Sequence, residues 1–134
     1  MTKTQKIIYW ISTAWLALGM ISTGAVQLMK TKTGAGGYDS VVNTLGFPAY
    51  MLTLLGVLKI VGAIVVLIPK FPLLKEWAYA GFFFIMAGAL FSHIAAGDTS
   101  AGAIFPVILL LTLTAVSWYF RPAERKLLAV ASSR

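Results

Sequence analysis

LLGVLKIVGAIVVLIPKFPLLKEW, residues 54–77, decides the fold. Its first part belongs to a longer run from Tyr50 to Ile68 that is apolar almost all round a helix, yet Lys59 stands in the middle of it. A helix packed on the surface of a soluble protein's core keeps a polar face for water. A run that is apolar on every side for about 20 residues instead matches a bilayer core of about 30 Å. Three more stretches have the same character, near Ile7 to Leu28, Trp77 to Ala95 and Ala103 to Phe120. In hydrocarbon each backbone N–H and C=O needs a partner within the protein, so unalternating spans of this length read as helices and not as barrel strands. The sequence predicts an all-α integral membrane four-helix bundle, one domain over residues 1–134, with helices near 7–28, 50–68, 77–95 and 103–120.

The whole chain agrees with lipid as its solvent. Of its 134 residues 59% are hydrophobic and 11% charged, and its mean hydropathy is +0.86, far more apolar than an average soluble domain. The net charge of +7 does not point to nucleic acid, because the basic residues flank the spans and form no contiguous stripe. Lys3, Lys6, Lys70, Lys75, Arg121, Arg125, Lys126 and Arg134 fall on one side, against Lys30 and Lys32 with Asp39 and Asp98 on the other. The positive-inside rule then puts the N and C termini in the cytoplasm of a multi-pass protein of the cell membrane. Tyr9, Trp10, Tyr50, Trp77, Tyr79, Trp118 and Tyr119 lie near span ends, where amphipathic rings favour the interface. The first span ends in Thr23-Gly24-Ala25 like a signal peptide, but its apolar run exceeds the about 7 to 15 residues of a signal core and reads as a span. The absence of cysteine removes thiol redox chemistry and says nothing of the compartment.

Between the first two spans, Lys30 to Gly37 is a polar, glycine-rich hinge, and residues 38–45 suit a short helix on the outer interface, capped by Asp39 or Ser40. PKFPLLKE, residues 69–76, reads as a tight turn whose prolines stop the second helix.

At 100° per residue the polar side chains gather on particular faces. On the first helix Tyr9, Ser12, Thr13, Leu16, Met20, Thr23, Gly24 and Gln27 share one side, opposite Ile7, Ile11, Ala14, Leu18, Ile21 and Ala25, which should meet lipid. Lys59 shares its face with Leu52, Leu55, Gly56, Gly62, Ala63 and Val66, and the small residues among them, Gly56, Gly62 and Ala63, admit a neighbouring backbone. On the third helix Gly81, Ile85, Gly88 and Ser92 form a second seam suited to close packing, with His93 beside Tyr79, Phe82, Met86 and Ala89. On the fourth, Thr112 stands with Phe105, Ile108, Ala115 and Tyr119. Helical side chains lean toward their N-terminus, so Lys59, on a helix running inward, tilts outward, and His93, on one running outward, leans back. The two converge on Thr23 and Gln27. A polar chamber in the outer half of the bundle is predicted, bounded by Thr23, Gln27, Lys59 and His93, with Lys30 and Asp98 at its mouth.

A lysine at a helix centre costs about 2.5 to 3.5 kcal/mol on insertion scales. No carboxylate lies at the depth of Lys59: Glu76 is near the cytoplasmic end and Asp98 is further out. The lysine is therefore neutral, a donor to hydroxyl, amide or backbone oxygens, or a donor to a ligand. For Lys59 an interhelical hydrogen bond and a ligand contact stand level, whereas His93 and Gln27 suit structural bonds better than ligand contacts.

The stretch LGFPAYMLTLLGVLKIVGAIVVLIPKFPLLKEWAYAGFFFIMAGALFSHIAAGD, residues 45–98, carries G-x-x-K-x-x-G-A at Gly56 to Ala63, P-x-x-x-x-L-K-E-W-A-Y-A-G from Pro69 to Gly81 and S-H-x-x-x-G-D from Ser92 to Asp98. It resembles the DoxX-like family of small four-helix membrane proteins, closely over the second and third helices and by hydropathy and length over the others. The resemblance implies either an accessory membrane protein, as relatives that act as chaperones for acetylcholine receptors do, or a subunit of a quinone-linked oxidoreductase, from which the family takes its name. It supplies no agreed catalytic residues; Lys59, Glu76, His93 and Asp98 match its polar motif positions.

Two function classes follow. One is a non-catalytic module that binds a small hydrophobic ligand, lipid-like or quinone-like, or holds a membrane protein partner or a second copy of itself. The other is a membrane subunit of a redox complex in which Lys59 and His93 position a quinone or relay its protons. A small transporter acting as an oligomer ranks third. Self-sufficient redox catalysis is disfavoured: the sequence has no metal-ligand cluster, and its single histidine excludes bis-histidine haem ligation.

Overall fold

The computed structural model describes residues 2–34 and 36–122. Arg125, Lys126 and Arg134, used above to orient the chain, lie outside the described residues. Four helices, each long and apolar enough to cross a membrane, make up most of the described residues: α1 (Lys3–Leu28), α2 (Tyr50–Leu67), α3 (Pro72–Ala95) and α4 (Ala101–Tyr119). At 1.5 Å per residue even the 18 residues of α2 span ~27 Å, close to the hydrocarbon thickness. The helices meet in a ring, α1 on α2, α2 on α3, α3 on α4 and α4 on α1, with α2 against α3 the thinnest of the four interfaces.

Local chemistry sets each boundary. α1 opens on a capping box, in which the Gln5 N–H donates to Thr2 Oγ1 and the Thr2 N–H to Gln5 Oε1, both at 3.1 Å. It closes on a Schellman turn: Lys30 takes the left-handed conformation (φ 52°), its N–H donates to the Gln27 carbonyl and that of Thr31 to the Val26 carbonyl. α3 ends the same way around Gly97 (φ 75°), with the Asp98 N–H donating to the His93 carbonyl at 2.8 Å. The tight turn between α2 and α3 passes through two left-handed residues, Lys70 and Phe71 (φ 67° and 54°). Pro72 then starts α3, where a missing N–H is harmless. The third helix therefore begins at Pro72, ahead of the expected Trp77.

Between α1 and α2 a short π-helical segment, Asp39–Thr44, lies over the bundle end with Val41 buried. Neither Asp39 nor Ser40 caps it; Asp39 Oδ1 accepts instead from Asn43 Nδ2 at 2.8 Å.

The core is built from Leu16, Ala17 and Met20 of α1, Ala63 and Val66 of α2, Tyr79, Phe82 and Met86 of α3, and Val107 and Leu110 of α4. The predicted face of α1 turns inward nearly as expected, and Ile7, Ile11, Ala14, Leu18 and Ile21 lie outside. Gly56 and Gly62 let backbones approach, since a Cβ on Gly56 would sit 2.8 Å from the Gly24 carbonyl oxygen and one on Gly62 2.6 Å from the Phe82 ring. The glycine seam of α3 differs from expectation. The inward face of α3 is the one bearing Tyr79, Phe82, Met86 and His93, and a Cβ on Gly81 or Gly88 would meet nothing within 4 Å. On α4 the face bearing Phe105, Ile108, Thr112, Ala115 and Tyr119 is exposed, and Val107, Leu110, Thr114 and Ser117 turn inward.

Two side chains read as interfacial are core residues. Tyr9 is 0% and Tyr79 2% exposed, and Tyr79 Oη and Thr13 Oγ1 both reach Ser117 Oγ, at 2.7 and 2.6 Å. Lys75, counted above among the loop charges, is also buried. The longer α3 carries it inside the bundle, where its Nζ donates to the carbonyls of Val65, at 2.5 Å, and Ile68 at the end of α2.

Candidate functional site

The core does not fill the end of the bundle that carries the α1–α2 and α3–α4 loops. A cavity of about 610 Å³ lies there, within the about 300–1,000 Å³ range of small-molecule sites. Thr23, Gln27, Lys59 and His93 all line it, together with Asp98. Lys30 does not: its Nζ donates to Thr53 Oγ1 at 3.1 Å on the exposed flank of α2. Lys32, two residues on, lines the cavity in its place. The left-handed turn at Lys30 ends α1 and redirects the chain, which the spacing of the loop lysines does not reveal.

α2 presents Lys59 from the face carrying Leu52, Gly56, Gly62, Ala63 and Val66, all buried with it. Lys59 is 4% exposed, and its Nζ donates to Thr23 Oγ1 over a long 3.3 Å. Thr23 is held to accept, because its own hydroxyl donates to the Gly19 carbonyl at 2.8 Å. An ammonium carries three donors; Thr23 takes one, and no carboxylate forms an ion pair with Lys59 among the described residues. Gln27 is 2% exposed, and its Oε1 is buried with no hydrogen-bond partner among the described residues, a position native proteins rarely leave empty.

His93 is 6% exposed and pairs with Asp98, Nδ1 to Oδ2, at 2.9 Å. The Schellman turn folds Asp98 back over the last turn of α3, so the contact follows from the S-H-x-x-x-G-D spacing. A carboxylate accepts, so Nδ1 carries the proton, and in the neutral ring Nε2 is left as an acceptor. Pro106, inside α4, also lines the cavity; it has no N–H to give to the Gly102 carbonyl.

The cavity therefore has a chemical polarity. Its deep wall offers an under-used lysine Nζ and an unpaired amide oxygen, its loop end offers Lys32, Asp39, Ser40 and Asp98, and its sides are Met51, Leu55, Ile85, Met86, Val107 and Leu110. Sequence reasoning found the deep residues from their shared depth. It missed Lys32 and Pro106, although a proline past the first turn of an apolar span is itself a signal.

Comparison with known proteins gives one finding. The model of a family described as the DoxX-like family matches residues 11–116, a stretch from the first turns of α1 to the last of α4. No curated protein and no solved structure matches the chain.

Proposed function

The chain belongs to the DoxX-like family, and on that premise we propose that it is a non-catalytic membrane module that holds the polar head of a small hydrophobic ligand in the cavity around Lys59. The observation that carries this reading is a buried lysine with one long hydrogen bond, facing a cavity of ligand size. Intramembrane ionisable groups are functional sites by default. Lys59 donates to a carbonyl or anionic head, Thr23 holds the ammonium in place, and Gln27 Oε1 accepts from a hydroxyl or amide of the ligand. His93, fixed by Asp98, offers Nε2 as a further contact.

The His93–Asp98 pair favours a second reading, in which the chain is the membrane subunit of a quinone-linked oxidoreductase. Lys59 and His93 then orient a quinone and pass its protons while a partner carries the electrons.

Organic-solvent extraction of the protein purified in a mild detergent, followed by mass spectrometry and an absorbance scan, tests both. The first reading predicts a lipid or quinone in near-stoichiometric amount in wild type and its loss from Lys59→Met. Co-purification of a dehydrogenase-like subunit supports the second. An extract containing only bulk lipids in the same proportions for both proteins contradicts the assignment of Lys59 as a binding residue.

A further inference from the structure

The cavity's walls are unequal, and the side between α2 and α3 is the weak one. Near the middle of the bundle these helices touch, Phe82 lying against Gly62. Toward the loops they separate around the cavity. Its lining there comes from the flanks the two helices turn to each other: Met51 and Leu55, on the same side of α2 as Gly62, and Ile85, Gly88 and Ser92 on α3. This flank reaches the outside, since Gly88 is exposed, Phe84 at the rim is 70% exposed, and a Cβ on Gly88 would meet nothing within 4 Å. A continuous apolar surface thus runs from the buried Lys59 to the lipid-facing side of α3, in the half of the bilayer nearer the α1–α2 loop.

We propose that the cavity opens sideways into the bilayer between α2 and α3, and that its ligand is a long-tailed amphiphile whose acceptor-bearing head reaches Lys59 and Gln27 while its tail leaves past Leu55 and Gly88. This deepens the ligand-binding reading above and rests on it. The chemistry inside selects the head: an oxygen that accepts from the ammonium and a hydroxyl that donates to Gln27 Oε1. The gap selects the tail, because a substituent leaving between Leu55, Ile85 and Gly88 meets only carbon and the acyl chains beyond. A water-soluble ligand of equal polarity would leave that flank bare. A fatty acid and an isoprenoid quinone both present an acceptor oxygen on a long tail, so the test carries one probe for each.

Gly88 and Gly81 supply a matched pair of variants. They lie two turns apart on one stripe of α3, and added bulk at either meets open space, but Gly88 lines the cavity and Gly81 does not. Wild type, Gly88→Trp, Gly81→Trp and Lys59→Met are reconstituted in phosphatidylcholine vesicles with palmitate, or with a decyl-tailed benzoquinone, carrying a diazirine near the tail end. After photolysis the labelled peptides are mapped. The proposal predicts Lys59-dependent label within 51–55 and 84–92 from one probe, which identifies the head class. It further predicts about tenfold less of that label in Gly88→Trp, whose indole would occupy the passage, and unchanged label in Gly81→Trp. Label on the outer face of α1, at Ile11, Trp15 and Leu18, reports background lipid contact. Lys59-dependent label that is equal in Gly88→Trp and wild type overturns the sideways route and leaves the chamber reading standing. Equal loss in both tryptophan variants also overturns it, because the effect would then belong to the helix surface. Absence of any Lys59-dependent label with either probe overturns the chamber reading and this inference with it.

Discussion

Lys75 and Lys59 project from neighbouring helices, 1% and 4% exposed, and differ in what surrounds the ammonium group. The Nζ of Lys75 is spent on the carbonyls of Val65 and Ile68, where the negative end of the α2 dipole also favours a cation. That of Lys59 has Thr23 at 3.3 Å and a cavity. Replacement by methionine keeps length and removes charge, so the pair separates structural from binding roles. Lys75→Met leaves one buried and one part-buried carbonyl short of a donor and is expected to lower stability by about 1–3 kcal/mol. Lys59→Met, measured on delipidated protein, is expected to be neutral or stabilising, because exchange of a buried charge for an apolar side chain of similar volume often is. Thermal unfolding in detergent checks both, and delipidation matters because loss of a bound ligand lowers apparent stability by mass action. The place of Lys59 was legible because its neighbours at helical spacing are small and apolar. That of Lys75 was not, because a lysine three residues after a proline in a charged stretch looks like a loop residue until α3 is seen to begin at Pro72.

At the scale of helices, the glycines divide by what they face. Gly56 and Gly62 are contact points, and Gly56→Leu places its Cβ against the Gly24 carbonyl oxygen and the Leu28 side chain, 2.8 and 2.7 Å away. Overpacking of this kind costs about 1–3 kcal/mol. Gly81→Ala meets open space and is expected to stabilise α3 by up to about 1 kcal/mol through helix propensity. Denaturation in a fixed detergent should therefore show opposite signs for the two substitutions. The faces of α1 and α2 could be read from sequence since polar and small residues recur along one side of each. α3 could not, because its two candidate stripes, the glycine seam and the Tyr79–Phe82–Met86–His93 side, are equally apolar, and only the positions of α2 and α4 choose between them. The cavity needed still more, since its upper walls come from the loop before α2, whose path turns at Lys30.

For the molecule as a whole, four apolar helices and the family assignment place the chain in a membrane, and the distribution of basic residues sets our proposed orientation, with both termini cytoplasmic. The chain has no cysteine, so single cysteines report topology cleanly. Lys32→Cys in intact cells is expected to react with a membrane-impermeant maleimide, and Lys3→Cys only after lysis; the reverse pattern would invert the bundle and put the cavity in the cytoplasmic leaflet. The burial of Lys75 removes one charge from the inner count but leaves Lys3, Lys6, Lys70 and Arg121 against Lys30 and Lys32 among the described residues, so the bias keeps its sign.

Whether Lys59 holds a ligand is decided by native mass spectrometry of wild type beside Lys59→Met, both released from mild detergent. A discrete extra mass on wild type, that of one amphiphile, is expected, and it is absent from a mutant of unchanged fold and oligomeric state. Two proteins that fly with the same bare mass would contradict it, and would make the Lys59–Thr23 contact an interhelical hydrogen bond and nothing more.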